Sequence, residues 1–557
     1  MRLDHALLRP RNLPLTGILA LALVFTLTGL AYPFYVTRGI GTMRIILAVA
    51  VVAAGLFGYY RPQLGILGVL FLAPILPIPL KSFLGYDAIL HLYLVYGVLL
   101  GIVSRQRQQL WRYVATLDRL LLFAMLVFVA LAVASGLIAG GRYSPTLARL
   151  LATVSLDGFT RVHTSYATVM SFVFVSMNML LGPFLFVVLG GQRLSMQGRE
   201  SETGRRWPVT YAISAVLTGA SVSLALAVVQ AYAPARGLPL SNGWPSGLMT
   251  DSTSMGGTVG ILIPLAVAAV VFVRHRVTVA LAITMLILTA AVAAPLGSRI
   301  TQLSILISPF LVGAVWVTGR MRRGDTNRRF WLRVAATGLI GLALTAGAAW
   351  LMQDTELGGY VDALARDPDM GEIFEGGRDA LASEAIRMGL DYPIAGIGFG
   401  SFTWELLRYY ELSEAANPWF DLPHNFYLQV FAEMGIIGAA SLLLLIFALG
   451  RHLVRPIAEP LTHMRTGVHL GAASATLMSL FALFWGPFFV FVEYQVVFWL
   501  ALFLLYWAGE EQEHRSDPAP TAAGYAPILS RRASNLWWVI VATFVVASLL
   551  SPGVIRS

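Results

Sequence analysis

The chain has 557 residues, 57% of them hydrophobic and 12% charged, with a mean hydropathy of +0.72. Soluble domains carry about a quarter charged residues, so this composition excludes an ordinary soluble enzyme, and the absence of cysteine excludes disulfide and thiol chemistry. The formal charge of +10 is unevenly spread: residues 354–424 hold fourteen acids against four arginines, a net of −10, which leaves +20 for the remainder. That asymmetry points to membrane sidedness rather than to nucleic-acid binding.

Apolar runs of about 17–25 residues, enough to cross a bilayer, recur near 14–34, 42–60, 64–80, 86–104, 119–140, 164–190, 209–233, 254–273, 277–297, 301–318, 332–351, 426–450, 466–486 and 488–508. A shorter run lies near 536–552. The pattern predicts an all-α polytopic membrane protein with about 14 transmembrane helices, within a range of about 12–15. A β-barrel would show alternating segments instead. The first run follows Arg2, Arg9 and Arg11 and reads as a retained helix, because it is long and has no clear small-residue cleavage site. The run at 64–80 contains Pro74, Pro77 and Pro79 and is expected to be broken.

With the N-terminus inside, the connections at 105–119, 191–207, 274–276, 319–333 and 451–465 are all Arg-rich and cytoplasmic, as the positive-inside rule requires. The chain then divides into N-terminal membrane helices (1–351), a large outer, partly helical loop (352–425), C-terminal membrane helices (426–508), a flexible linker (509–535) and a possible extra terminal helix (536–557). Within the outer loop, residues 376–391 have an amphipathic pattern. Leu381, Ala385 and Met388 share one face, and Asp379, Ser383 and Arg387 another. "GIGFGSF" follows, and Gly396 and Gly398 suit a tight turn. No βαβ context surrounds them, which argues against a dinucleotide site. The loop continues through the aromatic-rich "WELLRYYELSEAANPWF", which could lie at the interface or contact sugar rings.

The stretch "PHNFYLQVFAEMGIIG" puts Asn425, Gln429 and Glu433 on one face of a membrane helix, just after His424. A carboxylate about two turns into a span is costly unless paired or wet. Glu433 therefore reads either as a helix-packing hydrogen-bond partner or as part of a site. His424 reads as a general base or as an inert interfacial histidine. Arg236, Arg299 and Arg378 lie on the outer side, against the positive-inside trend. They suit phosphate recognition, or else snorkelling or pairing with Glu433 or the second intramembrane acid, Glu493. No metal-ligand constellation and no serine nucleophile elbow is present in the sequence.

Together, "RDALASEAIRMGLDYPIAGIGFGSF" and "PHNFYLQVFAEMGIIG" resemble the C-terminal signature of the O-antigen ligase and O-antigen polymerase superfamily. The matching positions are Arg378, Pro393, Gly396, Gly398, Phe402, His424, Asn425, Leu428, Glu433, Gly435 and Gly438. The upstream step Ser298–Arg299 resembles the family's serine-arginine pair, and the stretch after Arg236 resembles, more loosely, the one bearing its other outer arginine. The resemblance implies a GT-C-like, metal-independent, inverting glycosyltransferase of the bacterial inner membrane, working at the periplasmic face without a cofactor. Its donor would be a glycan on undecaprenyl diphosphate. Its acceptor would be a growing glycan (polymerase) or the lipid A core (ligase). It further implies that Arg299 and Arg236 bind the diphosphate, that His424 orients or deprotonates the acceptor hydroxyl, and that Asn425 and Glu433 hold the helix start in place. Arg378, Gly396, Gly398 and Ser298 would support the substrate site. The long acidic, aromatic outer loop favours the polymerase. A lipid-linked glycan flippase would instead place polar residues at mid-membrane on several helices, and a structural scaffold would leave the outer arginines and His424 without a role.

Overall fold

The computed structural model describes residues 41–77, 89–153, 178–193, 209–233, 245–250, 252–293, 295–296, 298–322, 378–409, 422–453, 463–486 and 488–516. These residues are all helix, turn or coil. The expected spans at 14–34, 332–351 and 536–552, most of the outer loop, and Arg236 lie outside them. In chain order the helices are α1 (Gly41–Tyr60), α2 (Pro62–Leu72), α3 (Ile89–Thr116), α4 (Arg119–Thr153), α5 (178–193), α6 (Val209–Tyr232), α7 (Ser252–Phe272), α8 (Arg276–Val292) and α9 (Arg299–Arg322). They continue with α10 (Arg378–Asp391), α11 (Phe402–Tyr409), α12 (Phe426–Leu453), α13 (His463–Ala482), a short 3₁₀ turn (Phe488–Val490) and α14 (Val492–Ser516). Five of these helices contain a stretch long and apolar enough to cross a bilayer: α4, α6, α7, α9 and α12. The molecule is a multi-pass membrane protein.

Helix α7 is apolar around its whole circumference, and such a helix must be covered on every side. Nearly every residue from Ser254 to Ala269 is buried. Its neighbours are α8, α9, α13 and α14. Small residues let the backbones approach, as is usual between helices in lipid. A methyl group on Gly256 would stand 1.8 Å from Ser298 Oγ, and one on Gly471 of α13 would stand 2.9 Å from the Ala268 side chain. The α1–α3 contact uses the same device. A methyl on Gly58 would meet the Val98 carbonyl oxygen at 2.1 Å, and one on Gly101 the Gly55 carbonyl oxygen at 1.9 Å.

Two boundaries differ from the sequence reading. The Arg-rich stretch 105–119 is mostly helix: α3 runs on to Thr116 with a kink at Gln106 (φ −114°, ψ 26°). Arg, Gln and Leu are strong helix formers, so the charged stretch extends the helix beyond its apolar part. Asp118 then starts α4 by accepting the Leu121 N–H at 3.0 Å, while its own N–H donates to the Tyr506 hydroxyl at 3.0 Å. At the other end, α14 continues past residue 508 to Ser516, into the stretch expected to be a flexible linker. The Glu and Gln residues there favour helix for the same reason.

Candidate active site at one end of the bundle

The motif "PIAGIGFGSF" is not a free turn. It is spliced into a break in α12. At Gly435 the backbone leaves helical geometry (φ 62°, ψ −160°). An unbroken helix would bond the N–H groups of residues 436 and 437 to the carbonyls of 432 and 433. Here those carbonyls accept from the loop instead: Ile397 N–H to Ala432 at 3.0 Å and Gly398 N–H to Glu433 at 2.9 Å. The freed donors turn to the same loop, Ile436 N–H to the Pro393 carbonyl at 2.7 Å and Ile437 N–H to the Ile394 carbonyl at 3.3 Å. Every backbone group released by the break at these four positions is thus re-satisfied, as burial in a membrane demands.

Glycine is required on both sides of the splice. Gly396 has φ +68°, and a Cβ there would fall 2.3 Å from the Glu433 carbonyl carbon. Gly435 has φ +62°, and a Cβ there would fall 2.5 Å from the backbone of Ile394. Gly398, also at positive φ, faces α4, where a Cβ would meet the Ala139 side chain at 2.5 Å. Next to it, Phe399 N–H donates to Ser135 Oγ at 2.9 Å. Ser135 and Gly435 are scaffold residues that the sequence reading did not single out for structure. A serine inside an apolar run gives no signal of its own, and a glycine inside a helix reads first as a packing residue.

Glu433 is fully buried and belongs to this junction. Its Oε1 accepts the Phe402 N–H at 3.0 Å, with Gly400 N–H alongside, and its Oε2 accepts from Gln429 Nε2 at 3.3 Å. The carboxylate therefore caps the first turn of α11 from a neighbouring helix. Below α11, Leu381, Ala385 and Met388 of α10 pack with Ile397, Phe402 and Leu406 and with Ala432 of α12 in a small separate core. Arg387 bonds Glu384 at 3.0 Å and lies 5.8 Å over the Tyr409 ring. The Tyr409 hydroxyl donates to Asp391 at 2.8 Å, and burial, with Asp391 second, pushes its phenol well above the ordinary range. Arg378 is the first residue of α10.

At the start of α12, Asn425 is the cap. Its Oδ1 accepts the N–H groups of Tyr427 at 3.0 Å and Leu428 at 3.1 Å. His424, the residue before it, has φ +46°, the left-handed region that side-chain-bearing residues rarely adopt. The turn is pinned from the far side: Phe426 N–H donates to the Leu483 carbonyl at 2.8 Å, and the Tyr427 hydroxyl to the Leu480 carbonyl at 2.7 Å. His424 is half-buried at this fixed turn.

The same end of the bundle holds the starts of α7, α9 and α14. The Phe426 ring packs 4.9 Å from Phe489, and a Cβ on Gly257 of α7 would meet the neighbouring Phe488 at 2.4 Å. Ser298 lies against Gly256, and its carbonyl accepts the Gln302 N–H at 3.2 Å. Thr301 Oγ1 donates to the Gly256 carbonyl at 3.2 Å. Arg299 is the first residue of α9. Glu493, on the first turn of α14, is fully buried and accepts from Thr250 N–H at 3.0 Å and from the Ser254 hydroxyl. For both buried acids the observed donors are N–H, amide and hydroxyl groups. Among the described residues, no group of three or more His, Asp or Glu forms a metal-binding cluster.

Residues 285–443 match a family model described as O-antigen ligase. That match spans α9, the Ser298–Arg299 step, α10, α11, the spliced loop and the first part of α12. No curated protein matches the chain.

Proposed function

We propose, from the match of residues 285–443 to the O-antigen ligase family model, that the chain is an inverting glycosyltransferase of the O-antigen ligase and polymerase type, drawing on undecaprenyl-diphosphate-linked glycan at the periplasmic face. In that reaction an acceptor hydroxyl attacks the anomeric carbon. The bond to the diphosphate breaks, and the hydroxyl proton is taken up. His424 is the group proposed to orient the hydroxyl and accept that proton. Arg299 at the start of α9, with Arg236, is proposed to hold the diphosphate and stabilise the charge that develops on it. Ser298 and Arg378 support the anion side. Asn425, Glu433, Gly396 and Gly398 set the backbone that presents His424. No step in this scheme needs a metal or cofactor.

The observation that carries the reading is the left-handed turn at His424, capped by Asn425 and tied to Leu480 and Leu483. Such a conformation costs about 1–2 kcal/mol and persists where surrounding structure enforces it, which clusters at functional sites. It supports a side chain held in one direction rather than one left at the interface.

The long acidic, aromatic outer loop supports a repeat-unit polymerase. The description of the matching domain favours, as the second reading, a ligase acting on lipid A core. The test supplies purified protein with an undecaprenyl-diphosphate-linked repeat unit, with and without lipid A core. Chain lengthening supports the polymerase, and transfer to core supports the ligase. Lipid translocation with neither product would overturn the enzyme reading in favour of a flippase.

A further inference from the structure

Helix α10 has two apolar surfaces, and one of them is used in the small core. Leu381, Ala385 and Met388 point inward. On the outer side, Ile386 is 42% exposed, Leu390 is 64% exposed, and Ile394 just beyond the helix is 57% exposed. These three recur at four-residue spacing, a single ridge on a helix and its continuation. Leaving such a ridge in water is unfavourable in proportion to the apolar area exposed.

The ridge does not stop at Ile394. Through the backbone splice, the Ile394 carbonyl accepts the Ile437 N–H at 3.3 Å and the Pro393 carbonyl the Ile436 N–H at 2.7 Å. Ile436 is 59% exposed, and it begins the outward face of α12, followed by Leu443 at 63% and Phe447 at 62%. These three sit at i, i+7 and i+11, the same side of a helix. On a membrane-crossing helix, an exposed Leu–Phe face is the face that meets lipid. The outer ridge of α10 is therefore continuous with a lipid-facing surface. On α10 itself Ser383 is exposed toward the N-terminal half and Leu390 in the last turn, while the exposed Arg387 and Asp391 flank the ridge and are held by Glu384 and by the Tyr409 hydroxyl.

We propose that the ridge of Ile386, Leu390 and Ile394 is immersed in the outer leaflet of the bilayer, with Arg387 and Asp391 beside it at the headgroup level and the N-terminal half of α10 in water. The occupant of the ridge is lipid acyl chain. The contact sets the depth of the module that abuts the start of α12, independently of which glycan the protein handles.

The chain has no cysteine, so single cysteines can be introduced one at a time. Ser383→Cys, Ile386→Cys, Leu390→Cys and Ile394→Cys would be spin-labelled in the full-length protein and reconstituted in phosphatidylethanolamine–phosphatidylglycerol nanodiscs. Leu443→Cys serves as the lipid-exposed reference. Collisional relaxation by dissolved oxygen, which partitions into lipid, is compared with that by a water-soluble nickel chelate. Labels at 390 and 394 should match the oxygen preference of position 443, position 386 should be intermediate, and position 383 should prefer nickel. Nickel preference at both 390 and 394 would overturn the proposal. Shielding of both from either reagent would overturn it as well, because a protein surface rather than lipid would then cover the ridge. Two independent ridge positions keep the test open if one labelled variant is not monodisperse.

Discussion

Glu433 and Glu493 are both buried carboxylates at the same end of the molecule, and each binds donors at the beginning of a different helix. Glu433 caps α11 through the Phe402 N–H, and Glu493 holds the start of α7 through the Thr250 N–H and the Ser254 hydroxyl. Their surroundings differ. Glu493 stands where α7 and α14 pack directly, the first of them buried along almost all its length. Glu433 stands where α12 is broken and a loop with Gly396, Gly398 and Gly400 at positive φ completes its hydrogen bonding. The first junction is helix against helix. The second is assembled from pieces distant in sequence, and it depends on backbone shapes that few residues can take. In both, the acid accepts from the start of a neighbouring helix, and the proposed reaction assigns its chemistry instead to His424 and the arginines.

The splice is the more fragile of the two junctions. Gly396→Val or Gly435→Val should abolish recovery of monodisperse protein, since each combines an unfavourable φ with a backbone clash, together on the order of 4 kcal/mol or more. Size-exclusion profiles in detergent measure this, and a wild-type profile for either variant would show that the splice is dispensable. Next in size is His424→Ala, expected to lower transfer by about 10²–10⁴-fold with an unchanged thermal midpoint. His424→Gly sharpens the point: it should raise stability by about 1 kcal/mol, because glycine accepts the left-handed turn at little cost, and should still lose activity. A glycine variant that is both active and more stable would remove His424 from the chemistry. Arg299→Ala should match the loss of transfer without loss of fold.

Much of this was legible in the sequence. The spans covered by α6, α7, α9 and α12 follow from apolar length, and the inward face of α10 follows from the spacing of Leu381, Ala385 and Met388. His424, Asn425 and Glu433 drew attention because polar groups at the mouth of a span need a reason. The way they are used was not legible. Glu433 lies 31 positions from the Phe402 N–H it accepts, and a pairing with a backbone group leaves no charge pattern to read. The break at Gly435 was hidden too, because an apolar run with one glycine looks the same whether the helix continues or is spliced. The outer ridge of Ile386, Leu390 and Ile394 escaped notice for a similar reason: the helical pattern was already explained by its inward face.

Smaller effects test whether the two acids are equivalent. Glu433→Ala leaves the buried Phe402 N–H without its acceptor, and Glu493→Ala does the same for the Thr250 N–H, so each should cost about 1–3 kcal/mol. Glutamine keeps an acceptor oxygen and should recover most of that loss in thermal unfolding. If Glu433→Gln folds normally but abolishes transfer while Glu493→Gln does not, the two junctions differ in chemistry as well as in construction, and Glu433 moves from support to mechanism.

The smallest expected effect lies at the rim of the small core. Tyr409→Phe removes the hydrogen bond to Asp391, worth about 1 kcal/mol or less at a partly exposed site. The direction of its pH dependence follows from the raised phenol. A group whose folded pKa is raised binds its proton more tightly when folded. Its contribution is therefore complete below the unfolded tyrosine value of about 10 and is lost as pH rises beyond that. Thermal midpoints of wild type and Tyr409→Phe should run in parallel from neutral pH to about 10 and converge above it. Convergence already near neutrality would mean that the Tyr409 phenol does not govern the stability of this contact. The outer module would then be anchored by the Arg387 contacts with Glu384 and the Tyr409 ring rather than by the phenol.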